Sequence, residues 1–162
     1  MPGERVMVME TNMNDTNPQI LGYLMEVMLK KGALDVSYTP IMMKKSRPGT
    51  MLSVILPPHL KDEMAALIFR ETTTLGIRYY TTNRITLQRE YMSVDTGYGP
   101  ITIKVARLGE EVLSYAPEYE ECRRIAQERG VPLKEVQMSA IKSYLDNRER
   151  KKPKSSPPKT GN

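Results

Sequence analysis

The sequence predicts an α+β domain with a ferredoxin-like split βαβ core, an extension β-hairpin and C-terminal helices. Three observations predict it. Short segments near residues 5–10, 33–43, 50–56 and 77–96 read as strands, the first and last alternating with period two. Two apolar stripes at helical spacing separate the first strand from the second and the third from the fourth, giving the order β-α-β-β-α-β. Proline and glycine clusters punctuate the joins, as at Pro57-Pro58 and Thr96-Gly97-Tyr98-Gly99-Pro100.

The first strand is expected over Arg5–Glu10. Val6 and Val8 face one way and Met7 and Met9 the other, so both faces are apolar and the strand should be central. A dense polar loop, residues 10–18, follows. Asn17 can cap free helical N–H groups and Pro18 suits the first helical position. Ile20, Leu21, Leu24, Val27 and Met28 form the stripe of a helix that Gly32 ends. Residues 33–43 and 50–56 read as strands joined by the basic turn Lys44-Lys45-Ser46-Arg47-Pro48-Gly49. A second helix opens at Pro57-Pro58 and buries Leu60, Met64, Leu67 and Ile68. One unusually long strand is then expected from Ile77 towards Thr96, paired through the turn at 96–100 with a return strand carrying Ile101, Ile103 and Val105. A short strand near Val112–Tyr115 precedes a helix over Pro117–Arg129, with its acids first and its arginines later, as the helix dipole prefers. A last helix runs from about Leu133 to Arg148. Residues 1–150 thus read as one domain. Residues 151–162 carry Pro, Ser and Lys with no core residue and are expected to be a disordered basic tail.

The excess charge sits at the C-terminal end, where residues 148–162 hold six basic groups and one acid. The net charge is +5, yet residues 1–147 hold 18 basic and 18 acidic groups, so any positive patch on the folded body is local. This weakens a nucleic-acid reading, as do one Phe and no Trp. No long apolar run or signal pattern suggests a membrane span, and a single cysteine, Cys122, excludes an internal disulfide. A cytoplasmic location is expected. With His59 and Cys122 alone of their kinds, one chain cannot assemble a zinc cluster or a Cys–His dyad.

Three polar segments carry the candidate chemistry. Glu10, Asn12, Asn14 and Asp15 at the first strand's exit offer oxygen ligands suited to Mg²⁺ or Mn²⁺, or simply a polar turn. Lys44, Lys45 and Arg47 offer cations to a phosphate, or an exposed hairpin turn. Arg70-Glu71-Thr72-Thr73-Thr74-Leu75-Gly76-Ile77-Arg78-Tyr79-Tyr80 crowds hydroxyls, a glycine and guanidinium groups into one handover from helix to strand, with Arg84 a further cation. Such groups suit a phosphate, although a polar helix end is the commoner outcome. No Walker or G-x-G-x-x-G motif is present.

The runs ETNMNDTNPQILGYLME (10–26), KKSRPGTMLSVILPP (44–58), FRETTTLGIRY (69–79), YGPITIKVA (98–106), APEYEECRRIA (116–126) and GVPLKEV (130–136) resemble the C-terminal domain of the LarC nickel-insertion proteins. The resemblance implies a CTP-dependent, CTP-hydrolysing nickel chelatase, or cyclometallase, of the lyase class. Its substrates would be Ni²⁺ and pyridinium-3,5-bisthiocarboxylic acid mononucleotide, and its product the nickel-pincer cofactor of lactate racemase. It implies that this domain binds CTP with Mg²⁺ or Mn²⁺. Lys44, Lys45, Arg47, Thr72, Thr73, Thr74 and Tyr79 would line the nucleotide site. Glu10, Asn12 and Asp15 would lie near the metal, with Arg70, Arg78 and Arg84 as catalytic cations. The family usually carries acids where Asn14 and Gln19 stand. The histidine-rich N-terminal half is absent, so an excised domain or a separately encoded half is expected, with that half as partner. Association into a homo-trimer or hexamer through sheet edges or the hairpin is also expected. Two other classes compete: a non-catalytic nucleotide-sensing ferredoxin-like module, and a nucleic-acid binder using the tail.

Overall fold

The computed structural model describes residues 3–150, which fall into two compact units, 3–86 and 87–150. The first unit contains β1 (Glu4–Met13), α1 (Pro18–Lys30), β2 (Asp35–Met43), β3 (Arg47–Leu56), α2 (Lys61–Glu71) and β4 (Arg78–Arg84). Its four strands pair in the order β2-β3-β1-β4, every pair antiparallel, which is the split βαβ arrangement. The Asn17 side chain accepts from the Gln19 N–H at 2.9 Å, and Pro18 opens α1, as their chemistry requires. Met7, Met9 and Met13 on one face of β1 pack with Leu24 and Met28 of α1 and with Met64 and Ile68 of α2. Val6 and Val8 on the other face are also buried, and β1 is central.

Two differences from the sequence reading bear on the site. β1 does not stop at Glu10 but runs to Met13, paired with β3 as far as Met13 opposite Thr50. Glu10 and Asn12 are therefore strand residues, not loop residues. The long strand expected from Ile77 to Thr96 is two strands in two sheets, broken at residues 85–87. The expected extension hairpin accordingly lies in a second sheet, which has its own buried core.

The second unit contains β5 (Gln88–Thr96), β6 (Gly99–Leu108), β7 (Glu111–Pro117), α3 (Tyr119–Arg129) and α4 (Leu133–Arg150). The sheet is an antiparallel meander, β5-β6-β7. Its inward residues Val94, Ile101, Ile103 and Val105 pack with Cys122 and Ile125 of α3 and with Val136, Ala140 and Tyr144 of α4. Gly130 ends α3 at φ 63°, a left-handed position that favours glycine. Among the described residues no helix is long and apolar enough to cross a membrane. The tail expected at 151–162 lies outside the described residues.

Candidate functional site

Antiparallel register brings the three polar segments to one end of the first sheet. Met13 at the end of β1 lies opposite Thr50 of β3, beside the β2–β3 turn. Glu10 lies opposite Arg78, the first residue of β4, so the segment joining α2 to β4 returns at the same end. The turn approaches β1 closely at Gly49. A Cβ there would meet Met43 Sδ at 2.5 Å and the Met13 carbonyl oxygen at 2.7 Å.

Hydroxyls tie the α2–β4 segment to β1. Thr11 is only 2% exposed. Its Oγ1 lies 2.5 Å from Thr74 Oγ1 and donates to the Gly76 carbonyl at 2.9 Å. Thr74 Oγ1 donates to the same carbonyl at 3.1 Å, and the Thr73 hydroxyl donates to Asp15 Oδ1 at 2.5 Å. Thr72 closes the end of α2, its hydroxyl donating to the Ile68 carbonyl at 2.7 Å and accepting from the Thr74 N–H at 3.3 Å. The threonine run therefore divides its work: Thr72 and Thr74 shape the segment, while Thr73 reaches the carboxylate.

On the face of β1 opposite Thr11, Arg78 Nε donates to Glu10 Oε2 at 2.8 Å, and its Nη2 donates to Asn12 Oδ1 at 3.2 Å. Asn12, Asp15, Thr73, Thr74, Gly76 and Arg78 line one open cavity of about 410 Å³, within the range of small-molecule sites. Lys44, Lys45 and Arg47 stand exposed in the neighbouring turn, and Arg70 in the last turn of α2. None of these four forms an ion pair among the described residues, so their charge is available to an anion.

Of the sequence-predicted residues, Asn12, Asp15, Thr73, Thr74 and Arg78 line that cavity; Lys44, Lys45, Arg47, Arg70 and Thr72 lie outside its lining, and so do Arg84, Tyr79 and Glu10. Arg84 pairs with Glu4 at 2.7 Å at the other end of β4, about 20 Å of strand away from Arg78. The Tyr79 ring lies under Lys61 Nζ, 5.3 Å from its centroid, in register with Met9 on the helix-covered face. Glu10 reaches the site through Arg78 and does not line the cavity. Asp15 is the carboxylate that does line it, and no group of three or more His, Cys, Asp or Glu side chains gathers among the described residues. The donor set, one carboxylate with an Asn amide and a Thr hydroxyl, fits a hard divalent cation that takes its remaining ligands from phosphate and water. Thr11 was missed from sequence because β1 was ended before it. The alternation Met7, Met9, Thr11, Met13 was the signal that could have found it.

The nickel insertion protein family model matches residues 1–137. The nickel insertion protein of Thermotoga petrophila named for pyridinium-3,5-bisthiocarboxylic acid mononucleotide is 46% identical over 133 residues, 82% of this chain and 34% of its own length. The like-named protein of Acetivibrio thermocellus is 42% identical over 147 residues, 91% of this chain and 36% of its own. The chain thus spans about a third of the length of the curated relatives it matches. Among solved structures, the apo C-terminal domain of a cyclometallase involved in synthesis of the NPN cofactor of lactate racemase superposes with a TM-score of 0.83. It is 38% identical, and the match covers 89% of this chain and 99% of that one. A protein of Methanopyrus kandleri, 24% identical with a TM-score of 0.58 over 89% of this chain and 91% of its own, shares the fold.

Proposed function

Because the chain belongs to the nickel insertion protein family, we propose that it is the part of a nickel insertase that binds metal–CTP and supports CTP hydrolysis. The observation that carries this reading is the meeting of three separate polar segments at one end of the β2-β3-β1-β4 sheet. A triphosphate needs cations and hydroxyls together with room for a divalent ion, and these support the reading at that end. In this reading Lys44, Lys45, Arg47 and Arg70 neutralise the phosphates. Thr73 and the segment held by Thr72 and Thr74 shape the rim, and Asp15 with Asn12 takes Mg²⁺ or Mn²⁺. An ion held by Asp15 and Asn12 would supply positive charge to offset that of the phosphate groups.

Arg78 then has a defined task. Its guanidinium is held at the cavity wall by Glu10 and Asn12, so it reaches an incoming anion already oriented. Arg84, at the far end of β4, would serve the site of a neighbouring copy in a trimer or hexamer, and Tyr79 would stack on a base from outside the cavity. The pyridinium-3,5-bisthiocarboxylic acid mononucleotide and Ni²⁺ would be handled jointly with the N-terminal half.

Titration calorimetry with CTP, with and without Mn²⁺, tests the reading. Metal-dependent heat for CTP above that for ATP or GTP is expected; equal heats for all three overturn it. Thr73→Val should weaken CTP binding about tenfold with little change in melting temperature. Unchanged binding would move the site to the lysine turn. Intact CTP after prolonged incubation, despite tight binding, would favour the non-catalytic sensor.

A further inference from the structure

A second cavity, of about 820 Å³, lies wholly within the second unit, between the β5-β6-β7 sheet and the C-terminal end of α4. Its walls divide by chemistry. Met92, Val94 and the Tyr144 side chain give an apolar and aromatic surface, while Arg107, Arg148 and Arg150 bring three guanidinium groups against one lining carboxylate, Glu110. Arg107 is fixed in place: its Nε donates to Glu90 at 3.0 Å and its Nη1 to the Glu110 carbonyl at 3.3 Å, which leaves Nη2 unengaged among the described residues. Arg148 and Arg150 form no ion pair among the described residues.

Tyr144 supplies an independent pointer to a ligand. It is 4% exposed, and its ring packs against Tyr115 with centroids 5.0 Å apart. A buried tyrosine hydroxyl ordinarily finds a partner, yet this one makes no hydrogen bond among the described residues. The residue also lines the cavity. A hydroxyl with no partner among the described residues, three guanidinium groups and an apolar wall together suit an anion with a flat, partly apolar body. They do not suit a free inorganic ion, which would gain nothing from the wall. A phosphomonoester would take the guanidinium groups, and an aromatic ring would lie along Met92 and Val94.

We propose that this cavity binds an anionic aromatic mononucleotide, separately from the triphosphate site of the first unit. The inference rests on the nickel-insertion reading in that such a molecule is that reaction's acceptor class. The test is calorimetry of the full chain with nicotinic acid mononucleotide, a pyridinium mononucleotide with a carboxylate, and with inorganic phosphate in parallel. Saturable binding of the mononucleotide, at least about tenfold tighter than phosphate, is expected. Arg148→Gln should weaken it about tenfold, and Tyr144→Phe several-fold while the melting temperature holds, because the ring stays against Tyr115. CTP binding should be unchanged in both variants. Absence of saturable binding, equal affinity for phosphate, indifference to Arg148→Gln, or a parallel loss of CTP binding would each overturn the proposal. The two readings fail separately, since Thr73→Val should lower CTP binding and leave the mononucleotide untouched.

Discussion

The two units bury similar sheets with different side chains. Five of the twelve residues in the first core are methionines (Met7, Met9, Met13, Met28 and Met64). The nine of the second include none and lean instead on Val94, Ile101, Ile103, Val105, Ile125 and Val136. Methionine has three rotatable bonds and fills irregular space, whereas β-branched side chains hold one preferred χ1 and resist repacking. The adaptable core sits beneath the strand that carries Thr11 and the converging polar segments. The stiff core supports a cavity whose groups are already placed. A site assembled from three separate chain segments gains from a core that tolerates small adjustments. A preformed cavity gains from one that does not.

Substitutions can break that contrast, beginning with the stiff core. Ile103 is fully buried, and Ile103→Ala should cost about 2–5 kcal/mol in urea unfolding, because a rigid surround cannot close the hole. A loss below about 1 kcal/mol would show that the second core relaxes after all. Thr11→Val is next. It removes a donor to the Gly76 carbonyl and the contact with Thr74 Oγ1, at a cost of about 1–3 kcal/mol, and CTP binding should weaken with it. Stability lost without any change in CTP affinity would confine Thr11 to packing. Met9→Leu, at a fully buried but adaptable position, should cost under about 1.5 kcal/mol. A larger loss would remove the claim of adaptability.

The mildest effect is one of pH. Burial pushes the Tyr38 hydroxyl up to about 12, and that hydroxyl donates to the Leu21 carbonyl at 2.7 Å, tying β2 to α1. The folded state prefers the neutral phenol more than the unfolded chain does. The associated stability is therefore complete below about pH 10 and is lost as pH rises through about 12. Tyr38→Phe should abolish that alkaline decline in a pH series of unfolding midpoints. In the second unit, burial, with Glu121 and Glu118 adding to it, raises the Cys122 thiol. This fully buried group should resist thiol reagents until the core opens.

The sequence was most informative where pattern and chemistry agree. Asn17-Pro18 marked the start of α1, the methionine and valine alternation marked β1 as central, and the order of elements led to the split βαβ core. It misled where the deciding interaction is distant in sequence. Through Arg84-Ile85-Thr86-Leu87-Gln88 the alternation continues with no glycine or proline. Nothing local shows that β4 pairs with β1 while β5 pairs with β6. Glu10–Met13 looked like a loop because its composition is polar, but Glu10 and Asn12 point to one face and Thr11 and Met13 to the other. The candidate site was legible as three polar segments, and only the register showed that they meet. Tyr79 and Arg84 were chosen by residue type; along β4 their side chains meet Lys61 and Glu4, outside the lining of the cavity.

The turn between β2 and β3 carries one more implication. Lys45 and Ser46 both adopt positive φ, 60° and 54°, a region costing an ordinary residue of order 1 kcal/mol or more. Asn-Gly, the pairing that hairpins favour for this conformation, would be easier to fold, and it would take an unpaired ammonium away from the end of the sheet. The wild-type turn therefore marks a place where thermal robustness was left unclaimed. A directed-evolution campaign selecting for heat resistance alone should drift towards Asn-Gly here and lose anion affinity as it does so.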